Sequence, residues 1–369
     1  MKRSKVYYAN LHIDEFEDNL ESKIKRLFDR AEFKKLISPK DLTAVKVHFG
    51  EKGNTSFVPP WYVRAIVDKV IEAGGDPFIT DTTTLYSGPR NNAVGHLNVA
   101  NEHGFAHSVV NAPLIIADGL KGRDFIEVEI SKKHFKSVKI ASDIFHADSM
   151  IVSSHFKGHI MAGFGGAVKN LGMGCAPVAG KKEQHSVRPI VDEELCIGCG
   201  RCVEVCPVQT IELINGKSVI HSENCIGCGE CIQNCPEKAI TMDWETEIPE
   251  FVERMTEYAY GVWNMKKGKI GFFNFLINIT PDCDCFGVSN KYIVQDIGFL
   301  ASDDPVAIDK ASYDLVNKQH GFEGTNLKSN LSPGEDKFKG LNESTQGELQ
   351  FIYGEKIGLG YQDYEIIEI

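Results

Sequence analysis

Between Cys196 and Pro236 the run C-x2-C-x2-C-x3-C-P occurs twice, as CIGCGRCVEVCP and, from Cys225, as CIGCGECIQNCP. Thiolates at these spacings wrap an iron–sulfur cube, and where two such runs stand together the fourth cysteine of each crosses to the other cube. The spacing predicts two [4Fe–4S] clusters, one held by Cys196, Cys199, Cys202 and Cys235, the other by Cys225, Cys228, Cys231 and Cys206. Gly198, Gly200, Gly227 and Gly229 let the backbone bring amide N–H groups up to the sulfurs, where such hydrogen bonds tune the potential. Pro207 and Pro236 turn the chain after each run. Structural zinc sites use similar C-x2-C pairs, but two complete copies, each with its proline, favour the cubes. Such cubes relay single electrons, or else staple a fold together through metal ligation.

The cysteine-dense stretch is a small part of 369 residues, a length that suits a large α/β body with an inserted module. Elsewhere short β-rich runs alternate with amphipathic stretches, the pattern of a wound, mainly parallel sheet flanked by helices. LTAVKVH, residues 42–48, reads as a strand, and Pro59-Pro60 opens a helix with Val63, Ile66, Val67, Val70 and Ile71 at helical spacing. The cycle repeats with a strand at 76–80 and a helix from about Asn91 to His103, then with a strand at 149–153 and a short helix over 167–171. Past the cysteines, PEFVERMTEYAYGVW reads as a helix, KIGFFNFLIN as a buried strand, and DPVAIDKASYDLVNKQ as a helix capped by Asp303 or Asp304. The expected organisation is an α/β domain whose first part is 1–187, an α+β ferredoxin-like module at 188–245, and the returning α/β part at 246–369. Two consecutive α/β domains are the alternative, and the tail beyond Gly321 offers no clear pattern.

No run of 18 or more apolar residues is present, and the N-terminus turns polar and acidic where a signal peptide needs an apolar core, so a soluble, cytoplasmic protein is expected. A net charge of −11 argues against a nucleic-acid or anionic-membrane surface. Eight of the eleven cysteines are taken by the two runs, which leaves Cys175, Cys283 and Cys285.

In open α/β sheets ligands bind beyond the carboxyl ends of the strands. The residues just past each expected strand are polar: His48 and the loop 50–54, Asp81 with threonines 82–84, then His155, Lys157 and His159, and finally Asp282-Cys283-Asp284-Cys285. The aspartates around Cys283 and Cys285 point to an accessible, polar site for metal ligation or dithiol redox chemistry. With Cys175, and His155 or His159, the pair would hold a further metal or cluster. The glycine-rich segment from His155 to Pro177 brings Lys157 and Lys169 into reach of a phosphate- or carboxylate-bearing substrate. Catalytic candidates are His155, Lys169, Cys283 and Cys285; polar loops and tight packing account equally for each taken alone.

KVHFGEKGNTSFVPP, DPFITDTTTLYSGPR, SSHFKGHIMAGFGGAVKNLGMG, DCDCFG and ASDDPVAIDKASYDLV, taken with the cysteine runs, resemble the family called domain of unknown function 362, in the version with an inserted two-cluster ferredoxin module. The resemblance implies an iron–sulfur protein with an α/β body of unassigned activity, from an organism living with little oxygen. It marks His48, Asp81, His155, Lys157, His159, Lys169, Asn170, Asp309, Cys283 and Cys285 as positions of a cleft, without giving them roles. Three functions fit: an oxidoreductase whose clusters feed a site on the body, a non-enzymatic carrier that docks a redox partner protein, and an enzyme with structural clusters.

Overall fold

The computed structural model describes residues 3–13, 18–86, 88–185, 189–225, 230–241 and 247–369. Its centre is an eight-stranded sheet. The strands are β1 (Ser4–Asn10), β2 (Leu42–Val47), β3 (Asp76–Asp81), β4 (Leu114–Ile116), β5 (Ser149–His155), β6 (Ile270–Leu276), β7 (Gly298–Ser302) and β8 (Tyr364–Glu368). They lie in the order β8-β1-β7-β6-β5-β2-β3-β4, and every neighbouring pair is parallel except the two that β7 makes with β1 and β6. Strands from both flanks of the cysteine-dense stretch thus share one sheet. A parallel sheet must be covered on both faces, and its central strands are accordingly apolar. Val45, Val47, Ile151, Phe273 and Phe275 pack against α1 (Leu20–Arg30) and α2 (Pro60–Glu72) on one face. Ala44, Met150, Val152, Phe272 and Leu276 face α3 (Ala167–Gly172), α4 (Glu247–Met265) and α5 (Pro305–Asn317) on the other.

The expected elements form, with local differences. β5 runs on to His155, which carries the strand to the edge of the cleft. Asp304, not Asp303, caps α5, accepting from the Val306 and Ala307 amides at 2.9 Å each. The featureless tail contains a helix at Leu349–Ile357 and the edge strand β8, which pairs with β1. Its signal was weak because an edge strand with one covered face needs no long apolar run.

The cysteine-dense stretch folds as a small unit. Ile190–Val191 pairs with Ile240–Thr241, closing its ends, and Ile211–Ile214 pairs with Lys217–Ile220 as a hairpin. Asn215 and Gly216 turn that hairpin with φ of 51° and 75°, the paired left-handed conformations that a tight two-residue hairpin requires. Among the described residues, the apolar cluster at the centre of the unit is Cys202, Ile211, Cys231 and Ile240. Ile232, on the helix Glu230–Gln233, packs against this core and against the core of the α/β body, joining the two.

Candidate functional site

β6, β5, β2 and β3 are parallel neighbours, so their carboxyl ends open on one edge of the sheet. There His48, Asp81, His155, Lys157, His159, Lys169, Asn170 and Cys285 line a single cleft. The convergence expected from the sequence is therefore present. The loop after β2 and the loop after β6 are clasped together: the Glu51 amide donates to the Asp284 carbonyl at 2.8 Å and Asn54 donates to the Phe286 carbonyl at 3.1 Å. Gly53, at φ +92°, makes this approach feasible, since a Cβ there would stand 2.5 Å from the Gly287 carbonyl oxygen.

The thiol pair is more enclosed than its flanking aspartates suggested. Cys283 is 1% exposed and Asp284 fully buried, while Cys285 faces the cleft. Asp284 is buried because it is matched: His155 Nδ1 lies 2.8 Å and Lys157 Nζ 3.3 Å from its carboxylate. Burial alone would raise its pKa, but His155, Lys157 and His48 together hold it well below the ordinary range. His155 Nε2 lies 2.9 Å from the Ile277 carbonyl, so both ring nitrogens face oxygen partners of the chain rather than the cleft. His155 is a brace beneath the thiol loop.

Two sulfurs and one imidazole meet here. Cys283, Cys285 and His159 bring ligand-type atoms within 4.8 Å of one another. Cys175 does not join them; it is buried behind the cleft, where burial pushes its thiol up to about 12. The expected set of three thiolates is thus reduced to two. Lys169 Nζ approaches Cys283 Sγ at 3.6 Å. The Cys285 thiol, and then Lys169 and Lys157, hold the Cys283 thiol well below its ordinary pKa in spite of burial. The same hydrogen bond pushes Cys285 well above it.

Lys169 and Asn170 owe their placement to α3. Asp309 accepts from the Ala167 and Val168 amides at 2.7 and 2.9 Å, and from Asn274 at 2.7 Å. Among the described residues Asp309 does not line the cleft; it acts through the helix that does. Asn170 in turn accepts from Lys46 Nζ at 2.7 Å and donates to Ser154 Oγ at 3.0 Å.

Several polar groups in the cleft, or buried behind it, carry no motif. Lys46 is fully buried and pairs with Asp81 at 2.9 Å; its signal was a lysine inside an otherwise apolar central strand. Arg90 donates to Glu51 at 2.9 Å and to the Tyr86 hydroxyl at 2.5 Å, and that hydroxyl lies 3.1 Å from the Cys285 carbonyl. Lys181 donates to Thr82 Oγ1 at 2.5 Å and is pushed down to about 8 by burial. Arg90, Lys157, Lys169 and Lys181 all line the cleft. Asp81 and Glu230 are the carboxylates among its lining residues, so cations prevail in a chain that is acidic overall.

The cysteine unit supplies part of this cleft. Glu230, which precedes Cys231, lines it, and Val205 and Pro207, which flank Cys206, line an adjoining cavity that shares Glu230, Cys285 and Phe286 with it. On the far side of the unit Cys196, Cys199, Cys202 and Cys235 line one small cavity, so three cysteines of the first run meet the last of the second. Amide donors reach two of these sulfurs, Ser218 N to Cys196 at 3.5 Å and Ala239 N to Cys235 at 3.2 Å, and outside the cavity Thr210 N reaches Cys206 at 3.4 Å. Hydrogen bonds from Ser218 and Gly198 lower the Cys196 pKa. Four thiols converging on one cavity with amide donors around them fit a cube. Cys228, Gly227 and Gly229 lie outside the described residues.

Comparison with known proteins agrees with the cysteine pattern. Ferredoxin-2 of Desulfomicrobium norvegicum is 67% identical over 30 residues, 8% of this chain, which spans about half (51%) of that protein. A ferredoxin-type iron–sulfur motif is therefore part of the chain. Among solved structures, the lactate racemase apoprotein from Thermoanaerobacterium thermosaccharolyticum aligns with 74% of this chain and 51% of its own, at a TM-score of 0.35 and 12% identity. A protein from Thermotoga maritima aligns with 71% of this chain and 52% of its own, at 0.37 and 13%. The family described as Domain of unknown function (DUF362) matches residues 43–314, from the first strand that lines the cleft to the helix that carries Asp309. The chain belongs to the DUF362 family.

Proposed function

We propose that this protein is an oxidoreductase in which two [4Fe–4S] clusters, held by the module at 188–245, relay electrons to a small anionic substrate bound at the sheet edge. The observation that carries the reading is the shared cleft: the residues beside Cys206 and Cys231 border the same space as Cys285. The clusters supply single electrons when bound. The chain's own residues do the rest. Arg90, Lys157, Lys169 and Lys181 attract and orient a carboxylate or phosphate, and the Glu51–Tyr86–Arg90 network fixes the wall of the cleft next to Cys285. Burial of these cations strengthens their pull on an anion, because little water is left to screen them.

The cluster set Cys196, Cys199, Cys202 and Cys235 is the outer one. Cys199 is exposed, and Leu195, Ile197, Leu213 and Ile214 are exposed around it. That apolar face favours a redox partner protein as the source of electrons, which also keeps the docking-carrier function in play. The test is anaerobic: the purified protein is reduced and offered small oxidised carboxylates and phosphates. Cluster reoxidation by at least one of them is the expected result. Turnover only inside a complex with another redox enzyme would favour the carrier, and activity that survives when cluster reduction is blocked would leave the clusters structural.

A further inference from the structure

The meeting of His159, Cys283 and Cys285 invites a metal, but the hydrogen bonds oppose one. A histidine that ligates a metal through one ring nitrogen ordinarily donates its other N–H to an acceptor. His159 does the reverse: its Nδ1 accepts from the Met161 and Ala162 amides, at 3.2 and 3.0 Å. In the neutral ring that burial enforces, the proton therefore sits on Nε2, and neither nitrogen offers a free lone pair. Beside the sulfurs stand the ammonium groups of Lys169 and Lys157 and the Asp284 carboxylate, whose charge His155 and Lys157 already match. With Asp284 matched by its own cations, Lys169 at 3.6 Å from Cys283 Sγ leaves a setting suited to anionic sulfur rather than to a metal cation.

The local backbone supports a pair that works together. The Phe286 amide donates to the Cys283 carbonyl at 3.0 Å, so residues 283–286 form a turn that brings both sulfurs to one side. We propose that Cys283 and Cys285 are a redox-active dithiol that gathers two electrons, delivered one at a time by the clusters, by cycling between a disulfide and a thiolate–thiol pair. In the reducing direction the S–S bond breaks, two reduced cubes each give up one electron, and one proton is taken up by Cys285 while Cys283 remains a thiolate. Lys169 stabilises that thiolate, and Asp284, braced by His155 and Lys157, fixes the loop between the sulfurs. The dithiol rests on the relay reading above, and converts single electrons into the pair that most organic reductions need.

The experiment uses the clustered protein, purified without oxygen and treated with diamide to oxidise accessible dithiols. Reductive titration with dithionite should consume about four electrons per chain in the native protein and about two in Cys283→Ser, at equal cluster absorbance. Samples quenched in acid and labelled with maleimide should show Cys283 and Cys285 protected before reduction and labelled after it. This readout uses the native protein and does not depend on the variant folding. Equal electron uptake in both proteins, with the two cysteines labelled throughout, would overturn the dithiol; so would bound zinc, or iron beyond the clusters, that Cys283→Ser loses. Dithiothreitol separates the two readings. If it reduces the pair and the reduced clusters do not, the dithiol stands and the relay fails; if neither reduces it, the dithiol fails and cluster reoxidation still reports on the relay.

Discussion

Cys283 shows how far a residue's chemistry depends on what donates to it. The Cys285 thiol is the strongest influence lowering its pKa, and Lys169 comes next among the groups that do so. Cys285→Ala should therefore raise the pH midpoint for alkylation of Cys283 by iodoacetamide more than Lys169→Met does, and both should raise it. A midpoint unmoved by either change would mean that the thiolate is not held by these donors. The cysteines themselves were legible from the sequence because two of them interleave with aspartates. Their burial was not, since it depends on His155 and Lys157 arriving from a different strand end to match Asp284. Lys46 was legible and passed over: a lysine flanked by valines in a central strand needs a buried partner, and Asp81 on the neighbouring strand is that partner.

The elements with a local signal were legible, and what anchors them was less so. α2 and α5 announce themselves through apolar spacing, a proline at the start and, in α5, an aspartate cap. α3 forms where a short helix was expected, but what holds it was not legible: Asp309 lies more than a hundred residues away in sequence. Burial pushes Asp309 up to about 6. A folded-state value above the unfolded one means that its contribution to stability is complete below about pH 4 and drains away as pH rises through about 6. Asp309→Asn would place an amide N–H₂ against the Ala167 or Val168 N–H, costing ~1–3 kcal/mol. The deficit should be larger at pH 5 than at pH 8 in thermal or denaturant unfolding. A deficit that grows toward alkaline pH would contradict this account of the cap.

At the scale of the molecule, the sequence spacing alone implied that each cysteine run lends its last thiol to the other, and the cavity lined by Cys196, Cys199, Cys202 and Cys235 has that composition. Cys196→Ser and Cys235→Ser, nearly forty residues apart, should therefore produce the same loss of about half the bound iron, and the double variant should lose no more than either single one. Additive losses would refute the crossing. Where the module would sit against the body had no local signature in the sequence, because it depends on Ile232 and the residues around Cys206 fitting a surface made by distant loops. That seating has a thermodynamic consequence. With Glu230, next to Cys231 in sequence, lining the cleft, and Pro207, next to Cys206, lining the adjoining space beside Cys285, a charge placed at those thiols is felt in the cleft. With the proposed inner cluster in place, an anion in the cleft would make that cluster harder to reduce, and by linkage its reduction would weaken the hold on the anion by the same factor. Filling the protein with electrons would thus loosen its grip on a bound anion, so that redox state and occupancy are two readings of one equilibrium.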